Sequence, residues 1–127
     1  MNHSLIKKAI AMRKQAHAPY SKYFVGAAVE TDSGQIIGGC NIESSSYSLT
    51  CCAERVALFS SLAQDEFPIK ALAVSTGNGG SPCGACRQVI WDLCGEIPIY
   101  ICDKNGLTKE TTSSALLPGA FDQNFLK

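Results

Sequence analysis

Two short stretches hold most of the chemistry this chain can do: Cys52-Ala53-Glu54-Arg55 and Pro82-Cys83-Gly84-Ala85-Cys86-Arg87-Gln88. They offer three thiols, Cys52, Cys83 and Cys86, and one carboxyl, Glu54, two residues after the first thiol. Three soft ligands without an obvious fourth suggest a zinc ion with one position left for water. Glu54 is then placed to move protons for that water. Other uses of the same residues stand beside this one. A lone C-x-x-C that follows a strand and opens a helix also suits a thioredoxin-type redox site. A closed structural zinc site needs a fourth ligand, and Cys51 is a candidate. Adjacent residues point in different directions from a helix, which argues against Cys51 and Cys52 both ligating.

The elements that must position these groups follow from periodicity. Leu5, Ile6, Ala9, Ile10 and Ala16 recur at helical spacing, with Lys7, Lys8 and Lys14 off that face, and Asn2 or Ser4 is the expected cap. Ala18-Pro19-Tyr20-Ser21 stops this helix. Val25 to Glu30, the turn Asp32-Ser33-Gly34, and Gln35 to Cys40 predict a hairpin. The serine-rich stretch from Asn41 to Thr50 reads as a loop. Cys51 to Ala63 is the second helix, with Val56, Leu58, Phe59 and Leu62 as its apolar face. Ile69 to Ser75 is an apolar third strand, and Thr76 to Pro82 is a glycine-rich loop. Cys83 or Gly84 opens the third helix, which turns Val89, Ile90 and Leu93 inward and stops at Gly95. Ile97 to Cys102 and Leu107 to Thr111 flank the turn Lys104-Asn105-Gly106. Ser113 or Ser114 caps a last helical turn. A hairpin followed by β-α units predicts a single domain, residues 1–127, with a mixed sheet and helices on its faces. Cys52 and the Cys83/Cys86 pair then sit at two helix N-termini, where free amides and the helix dipole favour anionic sulfur. Arg55, next to Glu54, could offset that negative charge, and a solvated helix face is the other reading of it.

Composition narrows the function classes. The 127 residues carry 11 basic and 11 acidic side chains, in no like-charged run. That argues against a nucleic-acid arm or an anionic membrane surface as partner. No apolar run is long enough for a bilayer, and the N-terminus reads as a lysine-bearing amphipathic segment and not a signal peptide. Seven cysteines is an odd number, which fits a reducing cytoplasm better than a disulfide framework. Cys40, Cys94 and Cys102 read as small buried hydrophobes.

Taken in order, Ala18-Pro19-Tyr20-Ser21-Lys22, Val25-Gly26-Ala27-Ala28, Gly39-Cys40-Asn41-Ile42-Glu43, Cys52-Ala53-Glu54-Arg55, Ser81 to Gln88, and Leu116-Leu117-Pro118-Gly119-Ala120-Phe121 resemble the small, homotetrameric, zinc-dependent cytidine deaminases. The resemblance implies a three-layer α/β/α fold around a five-stranded mixed sheet. It implies hydrolysis of cytidine, and usually deoxycytidine, to the uridine product and ammonia, in pyrimidine salvage. By position, Cys52, Cys83 and Cys86 are the implied zinc ligands and Glu54 the proton shuttle. Asn41 and Glu43 are implied to hold the ribose hydroxyls, with the Ala53 amide and the Ser81 carbonyl on the pyrimidine. Phe121 is implied to reach a partner's base pocket and Tyr47 to lie at subunit contacts, so that active sites are shared. One departure stands out. The family usually has phenylalanine shortly before its Val-Gly-Ala-Ala strand, where this chain has Tyr23 followed by Phe24, and either ring could face the pyrimidine. The related blasticidin S deaminases lack the acidic ribose contact, so Glu43 argues for a nucleoside substrate.

Overall fold

The structure is a computed structural model and describes residues 3–126. Five strands form one sheet: β1 (Gly26–Thr31), β2 (Ile36–Cys40), β3 (Ile69–Ser75), β4 (Pro98–Cys102) and β5 (Leu107–Thr112). Their spatial order is β2-β1-β3-β4-β5. The β3–β4 pair is parallel and the other pairs are antiparallel, so the sheet is mixed. Helix α1 (His3–Met12) covers one face; α2 (Ala53–Ala63) and α3 (Gly84–Cys94) cover the other. A short α4 (Ser113–Leu116) follows β5. This is the expected α/β/α arrangement.

Strand alternation assigns the two faces. Ala27, Val29, Leu72, Val74, Ile99 and Ile101 point toward α2 and α3. Ala28, Ala71, Ala73 and Cys102 point toward Leu5, Ile6 and Ala9 of α1. The α1 side is built from small residues, and the helix lies close. A Cβ at Gly26 would stand 2.1 Å from the Ala9 carbonyl oxygen. Cys40 and Cys102 are buried and Cys94 is half-buried. Burial alone raises the Cys94 thiol to about 12, and it is the main cause that raises Cys102 to about 11, so both are neutral packing groups.

Several local expectations shift. Helix α1 already includes Ser4, which therefore does not cap it, and Asn2 lies outside the described residues. Ala16 follows a 3₁₀ turn in extended backbone and is not helical. Thr112, not a serine, caps α4 by accepting from the Ala115 amide at 3.3 Å. The larger correction concerns α2. Its buried residues are Ala53, Glu54, Ala57, Leu58 and Ser61, whereas Phe59 and Leu62 are 46% and 51% exposed. The cause is close packing on β2, where a Cβ at Gly39 would stand 2.4 Å from the Ala57 amide nitrogen. Only alanine fits at that approach; Leu58 is buried in the core as expected, whereas Phe59 and Leu62 turn outward.

Among the described residues no helix is long and apolar enough to cross a membrane. Register puts three chain segments at one end of the sheet. Gly26, which opens β1, pairs with Cys40 and with Ser75, the last residues of β2 and β3. Val25, Asn41 and Thr76 therefore gather where the N-termini of α2 and α3 arrive.

Candidate metal centre and active site

Cys52 is the N-cap residue of α2 and Cys83 that of α3, each in extended backbone with no capping bond from its side chain. The sulfurs are thus free for another partner. Cys86 lies one turn into α3 and is fully buried. The three Sγ atoms lie within 4.8 Å of one another, with Cys52 and Cys83 3.9 Å apart. Zinc–sulfur bonds of about 2.3 Å around a tetrahedron place sulfurs about 3.8 Å apart, so the donor set fits zinc. Cys51 is not part of this cluster; its backbone forms a two-way bridge with Ile42, and α2 begins after it. That removes the candidate fourth ligand of a closed site.

The electrostatics suit a cation. A hydrogen bond from Cys86, reinforced by Arg55, holds the Cys52 thiol down at about 5. The Arg55 guanidinium donates to the Cys52 sulfur at 3.2 Å and is itself pushed further toward its charged form. Cys86 is driven upward by the same bond to Cys52 and by burial. A bound dication would reverse this, since a coordinating thiol is deprotonated outright.

Glu54 lies on the first turn of α2, 4% exposed. Burial raises its carboxyl to about 7, with the Cys52 thiolate adding to the rise. A carboxyl poised near neutrality can both take and give a proton.

These groups open onto a cavity of about 190 Å³. Cys52, Cys83, Ala53 and Glu54 line one side, and Tyr23, Asn41, Glu43 and Ser81 line the rest. The structure thus brings together eight of the residues singled out in the sequence. Cys86 lies in the metal cluster, and Arg55 touches the cluster through Cys52. Phe24, Tyr47 and Phe121 do not line this cavity. Tyr47 borders a neighbouring hollow with Tyr20, Glu43 and Thr50. Phe121 is 55% exposed and stacks on Phe125 at 5.5 Å, in a separate hollow beside Trp91.

Of the two rings, Tyr23 lines the cavity and Phe24 does not. Tyr23 and Val25 share the cavity face, in phase with Ala27 and Val29 on the α2 side. Phe24 falls between them, and its carbonyl accepts from Arg13 Nε at 3.0 Å. Asn41 fixes this phase. Its Nδ2 donates to the Tyr23 carbonyl at 2.8 Å, and its Oδ1 accepts from the Val25 amide at 3.0 Å. Glu43 accepts from the Tyr20 and Ser21 amides at 3.0 and 3.1 Å and from the Ser21 hydroxyl. That hydroxyl bond, more than any other interaction, holds the Glu43 carboxyl below its usual range.

Sequence reading did not single out Ser21, Val25, Thr50, Val74, Thr76 and Gly80, which also line the cavity. Ser21 had only the appearance of a helix stop, although it orients Glu43 and accepts from the Tyr23 amide at 3.0 Å. The odd-numbered phase of Val25, Ala27 and Val29 was the available signal for Val25 and for Tyr23 over Phe24. Nothing in the sequence marked Thr76 or Gly80. Arg87 is a further omission: it donates to the carbonyls of Pro82 and Leu116 at 2.7 and 2.8 Å and to the Ser81 hydroxyl, bracing the loop that enters α3.

An open three-thiolate metal site beside a buried carboxyl, at the edge of an α/β/α sheet, defines a metal-dependent hydrolytic centre. Comparison with known proteins gives the family. Residues 1–101 match the family model described as "Cytidine and deoxycytidylate deaminase zinc-binding region". The chain is 49% identical over 125 residues to a cytidine deaminase of Sporosarcina psychrophila, covering 96% of this chain and 92% of that one. A crystal structure of cytidine deaminase from Burkholderia pseudomallei superposes with a TM-score of 0.90 at 44% identity, covering 95% and 99% of the two chains. A blasticidin-S deaminase of Bacillus cereus is 32% identical over 114 residues, covering 82% and 81%. The chain belongs to the cytidine deaminase family, a family of zinc-dependent hydrolytic deaminases.

Proposed function

We propose that this chain hydrolyses cytidine and deoxycytidine to uridine and deoxyuridine with release of ammonia. The observation that carries this reading is the shared cavity: the thiol cluster and Glu54 occupy one side, and the polar pair Asn41 and Glu43 occupies the other. Zinc held by Cys52, Cys83 and Cys86 would supply water of lowered pKa. Glu54 carries the protons. Its carboxylate accepts one from the attacking water and delivers it to N3 of the base, which makes C4 electrophilic. After the water oxygen bonds to C4, Glu54 takes the proton left on that oxygen and delivers it to the amine; the C4–N bond breaks as the C4 carbonyl forms, so cytidine and water become uridine and ammonia. A carboxyl near 7 suits both directions of transfer. Arg55 offsets the surplus negative charge of three thiolates.

Asn41 and Glu43 recognise the sugar hydroxyls in this reading, and the Ala53 amide and Ser81 carbonyl recognise the pyrimidine. Tyr23 supplies the ring wall. Three ultraviolet assays side by side, on cytidine, deoxycytidine and blasticidin S, test it. Turnover of both nucleosides with little on blasticidin S is expected; the opposite pattern overturns the substrate assignment.

The cavity is completed, we further propose, by a neighbouring subunit in a homotetramer. Tyr47, Phe121, Phe125 and Leu126 are 76%, 55%, 68% and 75% exposed, more apolar surface than a single chain leaves in water without use. Phe121 would reach a partner's base pocket and Tyr47 would lie at the contact. Mixing Phe121→Ala with Glu54→Gln after dissociation and reassembly should recover part of the activity, because some sites then receive both native residues. A fully active monomer by light scattering overturns this arrangement. Residues 1–127 act as one catalytic domain in this proposal, since all five strands share one sheet, and seven free thiols suit the cytoplasm.

A further inference from the structure

Gly80 lies in the loop between β3 and α3, immediately before Ser81, and lines the cavity. Its backbone does not demand glycine, because its φ lies outside the left-handed region. What excludes a side chain there is one atom. A Cβ at Gly80 would stand 2.3 Å from the Tyr23 hydroxyl oxygen, whereas the ring carbon bearing that hydroxyl is at 3.6 Å, ordinary contact distance. The next neighbour, Thr76 Oγ1, is at 3.5 Å. The hydroxyl of Tyr23 and the missing side chain of Gly80 are therefore complementary shapes.

The hydroxyl also has a bonding partner. It donates to Asn78 Oδ1 at 3.0 Å, which accepts as well from Thr76 Oγ1 at 3.2 Å. Thr76 Oγ1 in turn accepts from the Gly80 amide at 2.6 Å. This chain of bonds runs from the Tyr23 ring to the residue before Ser81 and ties together two segments far apart in sequence. Tyr23 itself is held at its backbone by Asn41 and Ser21. A rigid base thus anchors the ring, and the ring anchors the loop.

We infer that Tyr23 is a positioning residue whose hydroxyl, seated in the notch at Gly80, fixes the loop from Thr76 to Ser81 against the substrate cavity. The inference rests on the deaminase reading above for its effect on turnover, though not for the notch. In the wild-type protein the loop is set before substrate arrives, so the Ser81 carbonyl needs no ordering on binding. A phenylalanine at 23 would leave Asn78 with Thr76 as its donor but without the tie to the ring, and the notch open.

Four proteins test this: wild type, Tyr23→Phe, Gly80→Ala and the double variant. Zinc content, melting temperature, and kcat and KM for cytidine are measured on each. Tyr23→Phe should raise KM by about 2- to 10-fold, the size of one neutral hydrogen bond, with a smaller change in kcat and zinc retained. Gly80→Ala alone should melt lower and raise KM further, because the added methyl meets the hydroxyl. In the double variant, removing the hydroxyl should return both melting temperature and KM to those of Tyr23→Phe. Failure of that rescue overturns the notch. An unchanged KM in Tyr23→Phe overturns the positioning role. The melting temperatures report the notch even if wild type does not turn over cytidine, in which case the substrate assignment fails separately.

Discussion

The two sides of the cavity are built in different ways. The metal side comes from helix starts. Cys52 and Glu54 belong to the beginning of α2, and Cys83 and Cys86 to the beginning of α3, so each pair is placed by a few residues of local backbone. The opposite side has no such local frame. Tyr23, Asn41 and Glu43 lie on irregular chain beyond the strands and are held by bonds between backbone and side chain, Asn41 to Tyr23 and Val25, Glu43 to Tyr20 and Ser21. A helix terminus supplies a rigid, partly charged frame that suits strong ligation. A network of single hydrogen bonds, each worth about 1 kcal/mol net, suits fine adjustment of fit. The difference suggests that damage to the first side abolishes chemistry, while damage to the second side grades it.

The hardest break is Cys86→Ala. Cys86 is fully buried, and without it two thiols remain. Zinc should fall from about one per chain to a small fraction, and activity should fall to background. Elemental analysis and the cytidine assay check both; full activity in a metal-free protein would break the assignment of the metal side altogether.

Glu54→Gln should keep zinc and fold yet reduce kcat by at least about 10²–10⁴-fold, because an amide cannot move protons. Turnover near that of wild type would show that another group is the base. The same variant exposes the cost of burying this carboxyl. Its folded value is about 7 against an ordinary 4.5, so the folded chain holds the proton more tightly than the unfolded chain. Its contribution to stability is fully present below about 4.5 and is lost as pH rises through about 7. In metal-free protein, Glu54→Gln should therefore gain on wild type between those pH values, by up to about 3 kcal/mol. Cys52, whose lowered value adds stability as pH rises above about 5, runs the opposite way in both proteins, so the difference between them reports Glu54 together with its coupling to that thiolate. Urea unfolding at pH 4.5 and pH 8 measures it, and a pH-independent difference would show that Glu54 is not buried as an acid.

The mildest change is on the side of the cavity opposite the thiols. Glu43→Gln replaces a charge-assisted acceptor by a neutral one, and kcat/KM for cytidine should fall about 5- to 100-fold with zinc unchanged. If zinc falls in parallel, Glu43 supports the metal side and the two sides are not separable.

The sequence by itself determined what depends on short spacing. Helical and strand periods placed all five strands and the three long helices within a few residues, since each repeat samples one face of a local element. The cysteine spacing and the adjoining glutamate placed the metal side for the same reason. Tertiary structure decided what depends on approach between distant segments. Helix α2 turns its alanines inward because Gly39 admits nothing larger, although Phe59 and Leu62 are the more apolar residues. Tyr23 rather than Phe24 faces the cavity because Asn41, at the end of the neighbouring β2, fixes its phase. A Cβ at Gly80 would stand 2.3 Å from a hydroxyl 57 positions earlier in the chain, a contact invisible to any local pattern. Periodicity reports which face of an element is apolar, and only packing reports how close its neighbour comes.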